Sequence, residues 1–208
     1  MDKGYKILID DLKKTGYLKT PRIIKAFEKF ERKYFVPDTL AIAANINRPL
    51  PIGSGQTISQ PLTVAFMIEL LQPGKGHKIL EIGGGSGWQT AILSEIVGLK
   101  GKVYAFEIVK SLAEFGKKNI KRFDLKNVIF KHKDVSEGYE NGAPYDRIIS
   151  GAAFTKIPKK LKNQLKVGGI LLAPTQDDDI RKIIRKSKDK FDEEVFPGFV
   201  FVPVTSNQ

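Results

Sequence analysis

Lys78–Trp88, KILEIGGGSGW, is the stretch whose reading decides the fold. Ile79–Ile82 is a short apolar run of the kind that forms a buried strand. It passes straight into Gly83-Gly84-Gly85-Ser86-Gly87, and a helical pattern starts at once over Trp88–Val97. Strand, glycine turn and helix in succession open a ligand-binding α/β unit. The glycines let the backbone turn tightly and bring bare N–H groups up to a ligand, and the helix turns the positive end of its dipole to the same place. The alternative is an ordinary tight turn between a strand and a helix, which any α/β protein can contain.

Outward from this stretch the alternation continues. Lys102–Glu107 reads as a second strand, Ser111–Phe123 as a helix and Val128–His132 as a third strand. Arg147–Ser150 is a fourth strand, Pro158–Leu165 a helix and Ile170–Pro174 a fifth strand. Strands alternating with helices imply a doubly wound, mostly parallel sheet. Two more strands, Ile180–Arg185 and Phe199–Val204, are expected to close it in antiparallel fashion. Upstream, residues 5–14 have a helical period, and Thr20-Pro21 looks like a cap before a helix over Arg22–Glu31. That helix carries Ile23, Ile24, Ala26, Phe27 and Phe30 on one face. Residues 34–61 form a long irregular segment that leads into a helix over Pro61–Leu71. It is too apolar for disorder, and loops of this length inside compact domains are usually functional. It is expected to cover the crevice beside the glycine turn.

The 208 residues make one domain: N-terminal helices and a covering loop over 1–60, a ligand-binding core over 61–175 and C-terminal strands over 176–208. There is no cysteine, so disulfides, thiolate metal sites and cysteine nucleophiles are excluded. No apolar run approaches the roughly 20 residues of a membrane span, and the charged start MDKGYKILIDDLKK lacks a signal-peptide core. A cytoplasmic protein is expected. With 35 Lys+Arg against 23 Asp+Glu the net charge is +12, which favours acidic partners. The basic residues are scattered, however, and densest at Arg181–Lys190, without the aromatic interleaving of RNA-binding segments.

The chemistry is carried by strand ends. Glycines at 83, 85 and 87 give G-x-G-x-G, and Trp88 stands where a dinucleotide fingerprint would need glycine. Glu81 beside the turn is awkward for a pyrophosphate and suits a ligand with a cationic part. Glu107 ends the second strand 24 residues beyond Gly83, near the offset at which an acid grips a ribose diol. Asp134 follows the third strand, placed to accept from an adenine amino group. Together with Ser86, these residues fit S-adenosyl-L-methionine better than NAD or ATP, and no phosphate-binding G-x-x-x-x-G-K-[ST] loop is present. The acceptor is narrowed by absences. The Ser150-Gly151-Ala152-Ala153-Phe154 run lacks the Pro-Pro-aromatic motif of amino methylation, and His77 and His132 read as surface or turn residues rather than general bases. A carboxylate acceptor needs no base, since it is ionised near neutrality.

Several segments closely resemble the protein-L-isoaspartate O-methyltransferases. They are Arg32-Lys33-Tyr34-Phe35-Val36-Pro37, the run PLPIGSGQTISQP over Pro49–Pro61, Ala143-Pro144-Tyr145-Asp146, Ile157-Pro158 with Gln164-Leu165-Lys166 and Gly168-Gly169, and Phe201-Val202-Pro203-Val204. The PLPIGSGQTISQP run is the most specific of them. The resemblance implies a Rossmann-like methyltransferase fold and methylation of the α-carboxylate of L-isoaspartyl residues in damaged proteins, as a repair step. It implies Ser59 as the active-site residue. Gln56, Thr57, Ile58 and Ser59 would close over substrate and cofactor, and Ile52 and Gly53 would border the substrate. Read by itself, Ser59 is also a candidate cap for the helix after Pro61.

The family's Gly-Asp-Gly after strand three is Lys133-Asp134-Val135 here, Gly84 replaces a common threonine and Trp88 a common tyrosine. The expected partners are isoaspartyl proteins and peptides met by a monomer, with neither membrane nor nucleic acid among them. The competing readings are the same fold acting on another acceptor, such as a modified peptide or RNA, and a binding module that keeps the fold without catalysis.

Overall fold

The computed structural model of the chain describes residues 1–204. In chain order the elements begin with α1 (Lys3–Lys14) and α2 (Pro21–Lys29), followed by three short 3-10 turns between Arg32 and Asn45. A hairpin, β1 (Leu50–Gly53) and β2 (Gln56–Ile58), precedes α3 (Pro61–Leu71). The core then runs β3 (Lys78–Ile82), α4 (Trp88–Val97), β4 (Lys102–Glu107), α5 (Lys110–Arg122), β5 (Val128–His132) and β6 (Tyr145–Ser150). After α6 (Lys159–Asn163) come β7 (Leu165–Thr175), β8 (Asp179–Arg185) and β9 (Phe191–Pro197).

The main sheet has the order β5-β4-β3-β6-β7-β8-β9. β5 through β7 are parallel, and β8 and β9 are antiparallel. The chain leaves β3 towards β4 on one side and returns to β6 on the other, so the strand order reverses at β3. Crevices open at such switch points, outside the carboxyl ends of the strands.

The C-terminal end departs from expectation. Phe199–Val204 is not a strand; the second antiparallel strand is Phe191–Pro197. Pro197 ends it, and Gly198, at φ 90°, turns the chain away. Residues beyond it run as a strap, bonded to the Asp178 carbonyl through the amides of Gly198 and Phe199 and bridged in parallel to Ala153 at Pro203. Phe199 stacks on Phe66 of α3 at 5.0 Å.

The basic cluster at Arg181–Lys190 has a local explanation. Across β8 and β9, Arg181 pairs with Glu193, Lys182 with Glu194 and, just past β8, Lys186 with Asp192, while Arg181 also meets Asp177 and Asp179 on its own side. These cross-strand pairs blunt a sheet edge more than they stabilise the fold.

On the other side of the sheet, α2 packs against α4, and α1 packs on α2. Trp88 is buried, edge-on to Phe27 at 5.6 Å, and its indole N–H donates to the Phe30 carbonyl at 2.8 Å. This is why an indole stands where the dinucleotide fingerprint has glycine. Thr20 does precede α2, but its hydroxyl donates to Glu69 at 2.6 Å rather than capping the helix.

A Cβ on Gly84 would lie 2.8 Å from the ring of Phe130. Phe130 occupies the space that a side chain at position 84 would need. Gly84→Thr is therefore expected to cost about 1–3 kcal/mol by overpacking. In urea unfolding, the cost should shrink when Phe130→Leu is already present; strictly additive effects would contradict the account.

Glu81 is fully buried, and among the described residues its hydrogen-bond partners are the neutral Thr90 (2.6 Å) and Gln89 (3.0 Å). Burial pushes its carboxyl up to about 7 from an ordinary 4.5. A raised carboxyl is stabilising in its neutral form, so its contribution is complete below about 4.5 and is lost as pH rises through about 7. Glu81→Gln keeps the shape and cannot ionise. Relative to this variant, the natural chain should lose roughly 2–3 kcal/mol of stability between pH 5 and 8. Parallel pH profiles for the two chains would refute the assignment.

Candidate active site

The turn after β3 is built from left-handed backbone: Gly83, Gly85 and Gly87 have φ of 75°, 51° and 82°. Side chains rarely tolerate that region, so glycine at each second position is required by the turn itself. The amides of Gly83 and Gly84 both donate to the Phe106 carbonyl at 2.9 Å, which ties the turn to the end of β4. Gly151 N donates to the Ile82 carbonyl at 2.8 Å, and a Cβ there would lie 2.9 Å from the Gly83 carbonyl. The missing side chain at Gly151 is thus what lets the turn after β6 lie against the turn after β3.

A groove opens at these strand ends, outside the carboxyl edge of the parallel strands. Gly83 and Gly85 line it together with Glu107 from the end of β4 and Asp134 and Val135 after β5. Ile52, Gln56 and Thr57 border it from the β1–β2 hairpin, and Val202–Val204 of the C-terminal strap border it too. The hairpin tip is held over the groove: the Ser54 and Ser111 hydroxyls lie 3.0 Å apart. Three strand ends expected to converge therefore do converge.

Glu107 has a second task that the sequence did not disclose. Its carboxylate accepts from Gly85 N at 2.8 Å and Val109 N at 2.9 Å, so it fixes the loop as well as facing the groove. Each carboxylate oxygen keeps a further lone pair for a ligand hydroxyl. The Asp134 carboxylate accepts from Ser136 N at 2.9 Å and is half-buried.

A smaller recess adjoins the groove at Gly83–Gly85. It is bordered by Glu81, Ser86, Trp88 and Gln89 on one side and by Thr57, Ile58 and Ser59 on the other. Glu81 belongs to this recess and not to the groove with Glu107 and Asp134. An outer groove follows, lined by Tyr17, Ser59, Gln60, Thr63 and the strap residues Gly198–Val202. Thr57 and Gly151 border all three spaces, and Ser59 lies between the recess and the outer groove.

Gly53 and Gly87 line none of these three spaces. Gly53 is exposed on the hairpin, at φ 98°, and Gly87 is the N-cap of α4, packed on Ile120 and Gly116 of α5. Ile52 and Gln56, expected beside the substrate, border the first groove and not the outer one.

Ser59 is not the helix cap. Gln60 holds the N-cap position of α3, and the Leu62 amide is taken by Asn47 Oδ1 at 3.0 Å. The half-buried Ser59 hydroxyl has no hydrogen-bond partner among the described residues and is available to a ligand. Neither histidine enters the site: the His77 ring accepts from Gly74 N, and His132 Nε2 lies 2.9 Å from the Ile108 carbonyl. Sequence reasoning missed Gly151 and the strap. The proline and glycine at 197 and 198, and Pro203, were the signals against a strand there.

The family model for protein-L-isoaspartate(D-aspartate) O-methyltransferase matches residues 3–208. A protein-L-isoaspartate O-methyltransferase of Ignicoccus hospitalis is 38% identical over 212 residues, covering 100% of both chains. That of Dictyoglomus thermophilum is 44% identical over 199 residues, 95% of this chain and 89% of the relative. A solved protein-L-isoaspartate O-methyltransferase superposes with a TM-score of 0.87 at 28% identity, over 98% of this chain and 66% of that one. A Plasmodium falciparum crystal structure in complex with S-adenosyl-L-homocysteine has the same fold, with a TM-score of 0.88 at 23% identity over 99% and 100% of the two chains. The match runs through the core, the covering hairpin and the strap alike, and this chain belongs to the protein-L-isoaspartate O-methyltransferase family.

Proposed function

We propose that this chain methylates the α-carboxylate of L-isoaspartyl residues in proteins and peptides, with S-adenosyl-L-methionine as the methyl donor. The observation that carries the reading is the adjacency of the three spaces, which share Thr57 and Gly151 as walls. A groove bearing Glu107 and Asp134 adjoins, at Gly83–Gly85, a recess that ends at Ser59, and Ser59 borders the outer groove. A small ligand with an adenosine end and a reactive end fits the first two, and a polypeptide fits the third. When bound, S-adenosyl-L-methionine supplies an electrophilic methyl group.

The chain's own residues then have separable tasks. Glu107 accepts from ribose hydroxyls while holding Gly85 and Val109, and Asp134 with Val135 borders the adenine. Gly83, Gly85 and Ser86, with Gln56–Ile58 opposite, enclose the rest of the cofactor. Glu81 lies beneath the turn, its partners Thr90 and Gln89 holding it in place.

The Ser59 hydroxyl donates to the substrate carboxylate and orients it; no proton has to be removed, because that carboxylate is already ionised. The β1–β2 hairpin keeps water from the reacting atoms. The parts over 1–60, 61–175 and 176–208 act as one methyltransferase domain. We take it to work as a cytoplasmic monomer on isoaspartyl proteins and peptides rather than on nucleic acid, a choice favoured by the acidic pairing of its densest basic cluster. Among the described residues, no helix is long and apolar enough to cross a membrane.

Transfer of labelled methyl to an isoaspartyl peptide, but not to its aspartyl twin, is the expected result; equal transfer to both would overturn the reading. Ser59→Ala should lower turnover about 10–100-fold, the worth of one hydrogen bond to a charged group, while cofactor affinity stays near wild type. Glu107→Ala should weaken cofactor binding by about 1–3 kcal/mol in calorimetry, through lost charge-assisted hydrogen bonds. Unchanged affinity would remove the ribose assignment.

A further inference from the structure

We infer that Arg32 is a positioning residue for the methyl-transfer reaction: its buried guanidinium clamps both stems of the β1–β2 hairpin and thereby sets where Ser59 stands. The inference rests on the methyl-transfer reading for Ser59 and adds a residue that touches neither substrate nor cofactor.

Arg32 is 0% exposed, yet no ion pair reaches it among the described residues. A buried charge without a counter-ion is costly unless its donors are satisfied by dipoles. Here the dipoles are backbone carbonyls, all from one stretch of chain; they take up both terminal nitrogens, while the buried Nε has no partner among the described residues. Nη1 donates to Ala44 and Ile46, each at 3.3 Å. Nη2 donates to Arg48 at 2.9 Å, Ile58 at 3.3 Å and Ser59 at 3.1 Å. Arg48 lies just before the first strand of the hairpin, and Ile58 and Ser59 close the second. One side chain therefore holds both ends of the hairpin's base.

The guanidinium also lies over the ring of Trp88, the first residue after the glycine turn, with Cζ 5.7 Å from its centroid. The covering hairpin and the helix that starts at the turn are thus referenced to the same group. Burial lowers the guanidinium to about 10, so it remains charged at neutral pH.

An arginine that merely filled space would bond wherever carbonyls happened to lie. This one bonds to Ser59 itself and to the segment that carries it. A planar fork suits the task, because its donors diverge at fixed angles; lysine offers three donors on one flexible point.

The test is Arg32→Lys, which keeps charge and loses the fork. On an isoaspartyl peptide kcat should fall about tenfold or more. Calorimetry with S-adenosyl-L-homocysteine should give a Kd within about twofold of wild type. Hydrogen exchange should quicken within residues 44–59 and stay unchanged in the sheet. Adding methylguanidinium to Arg32→Gly should restore part of the lost turnover. Wild-type kcat and exchange in Arg32→Lys would overturn the inference. So would a variant that loses protection throughout or fails to fold, since the arginine would then support the whole N-terminal lobe rather than the segment bearing Ser59. If the natural chain transfers no methyl to the peptide, the repair reading fails, while the exchange comparison still decides whether Arg32 holds the hairpin.

Discussion

The structure depends on how closely the turn after β3 can approach its neighbours. In five residues the chain leaves a buried strand, reverses and starts a helix, with no side chain on the inner path. Three left-handed glycines make the reversal, and the surroundings are built to that absence of side chains. A Cβ on Gly116 of α5 would lie 2.5 Å from the Gly85 carbonyl, and one on Gly87 would lie 3.3 Å from the Gly116 carbonyl. Helix α5 is therefore seated against the turn backbone to backbone. That contact places the end of β4, and with it Glu107, at the edge of the groove.

Three buried charged groups at the site make no ion pair among the described residues. Glu81, Glu107 and Arg32 are all buried, and their recorded partners are hydroxyls, an amide side chain, backbone amides and backbone carbonyls. Fixed dipoles of this kind neutralise a charge in part and leave it able to respond to a ligand. A site that receives a cationic donor and an anionic acceptor, and leaves both neutral, gains from walls whose charges are already oriented. The outer sheet uses the opposite arrangement: its lysines and arginines meet carboxylates across exposed strands, where the pairs contribute little to stability and mainly protect an edge.

Much of the architecture was legible because it is written in local pattern. Trp88–Val97, Pro61–Leu71, Lys102–Glu107 and Val128–His132 are found with the boundaries expected, since each is a patterned segment with a turn signal at one end or both. The convergence of Glu107 and Asp134 on the glycine turn was legible for a related reason, because parallel strands bring their carboxyl ends to one rim. Phe199–Val204 misled because an apolar alternation reads as a strand whether or not a partner edge is free. The edge was taken by Phe191–Pro197, a charged segment whose pattern is weaker but which follows β8 after a short turn. Gly84 and Trp88 looked like departures in sequence and are explained by Phe130 and Phe30, neither of which is near them along the chain.

By itself the sequence determined the α/β alternation, the glycine turn, the acids that follow two strands and the covering run before Pro61. These are properties of spacing, and spacing survives unfolding. Only the tertiary structure decided that Glu81 faces a recess apart from Glu107, that Ser59 is released from capping by Asn47, and that Arg32 holds the hairpin by its base. Each of those rests on a hydrogen bond or a burial between residues distant in the chain, and such a contact has no trace in a linear order of residues.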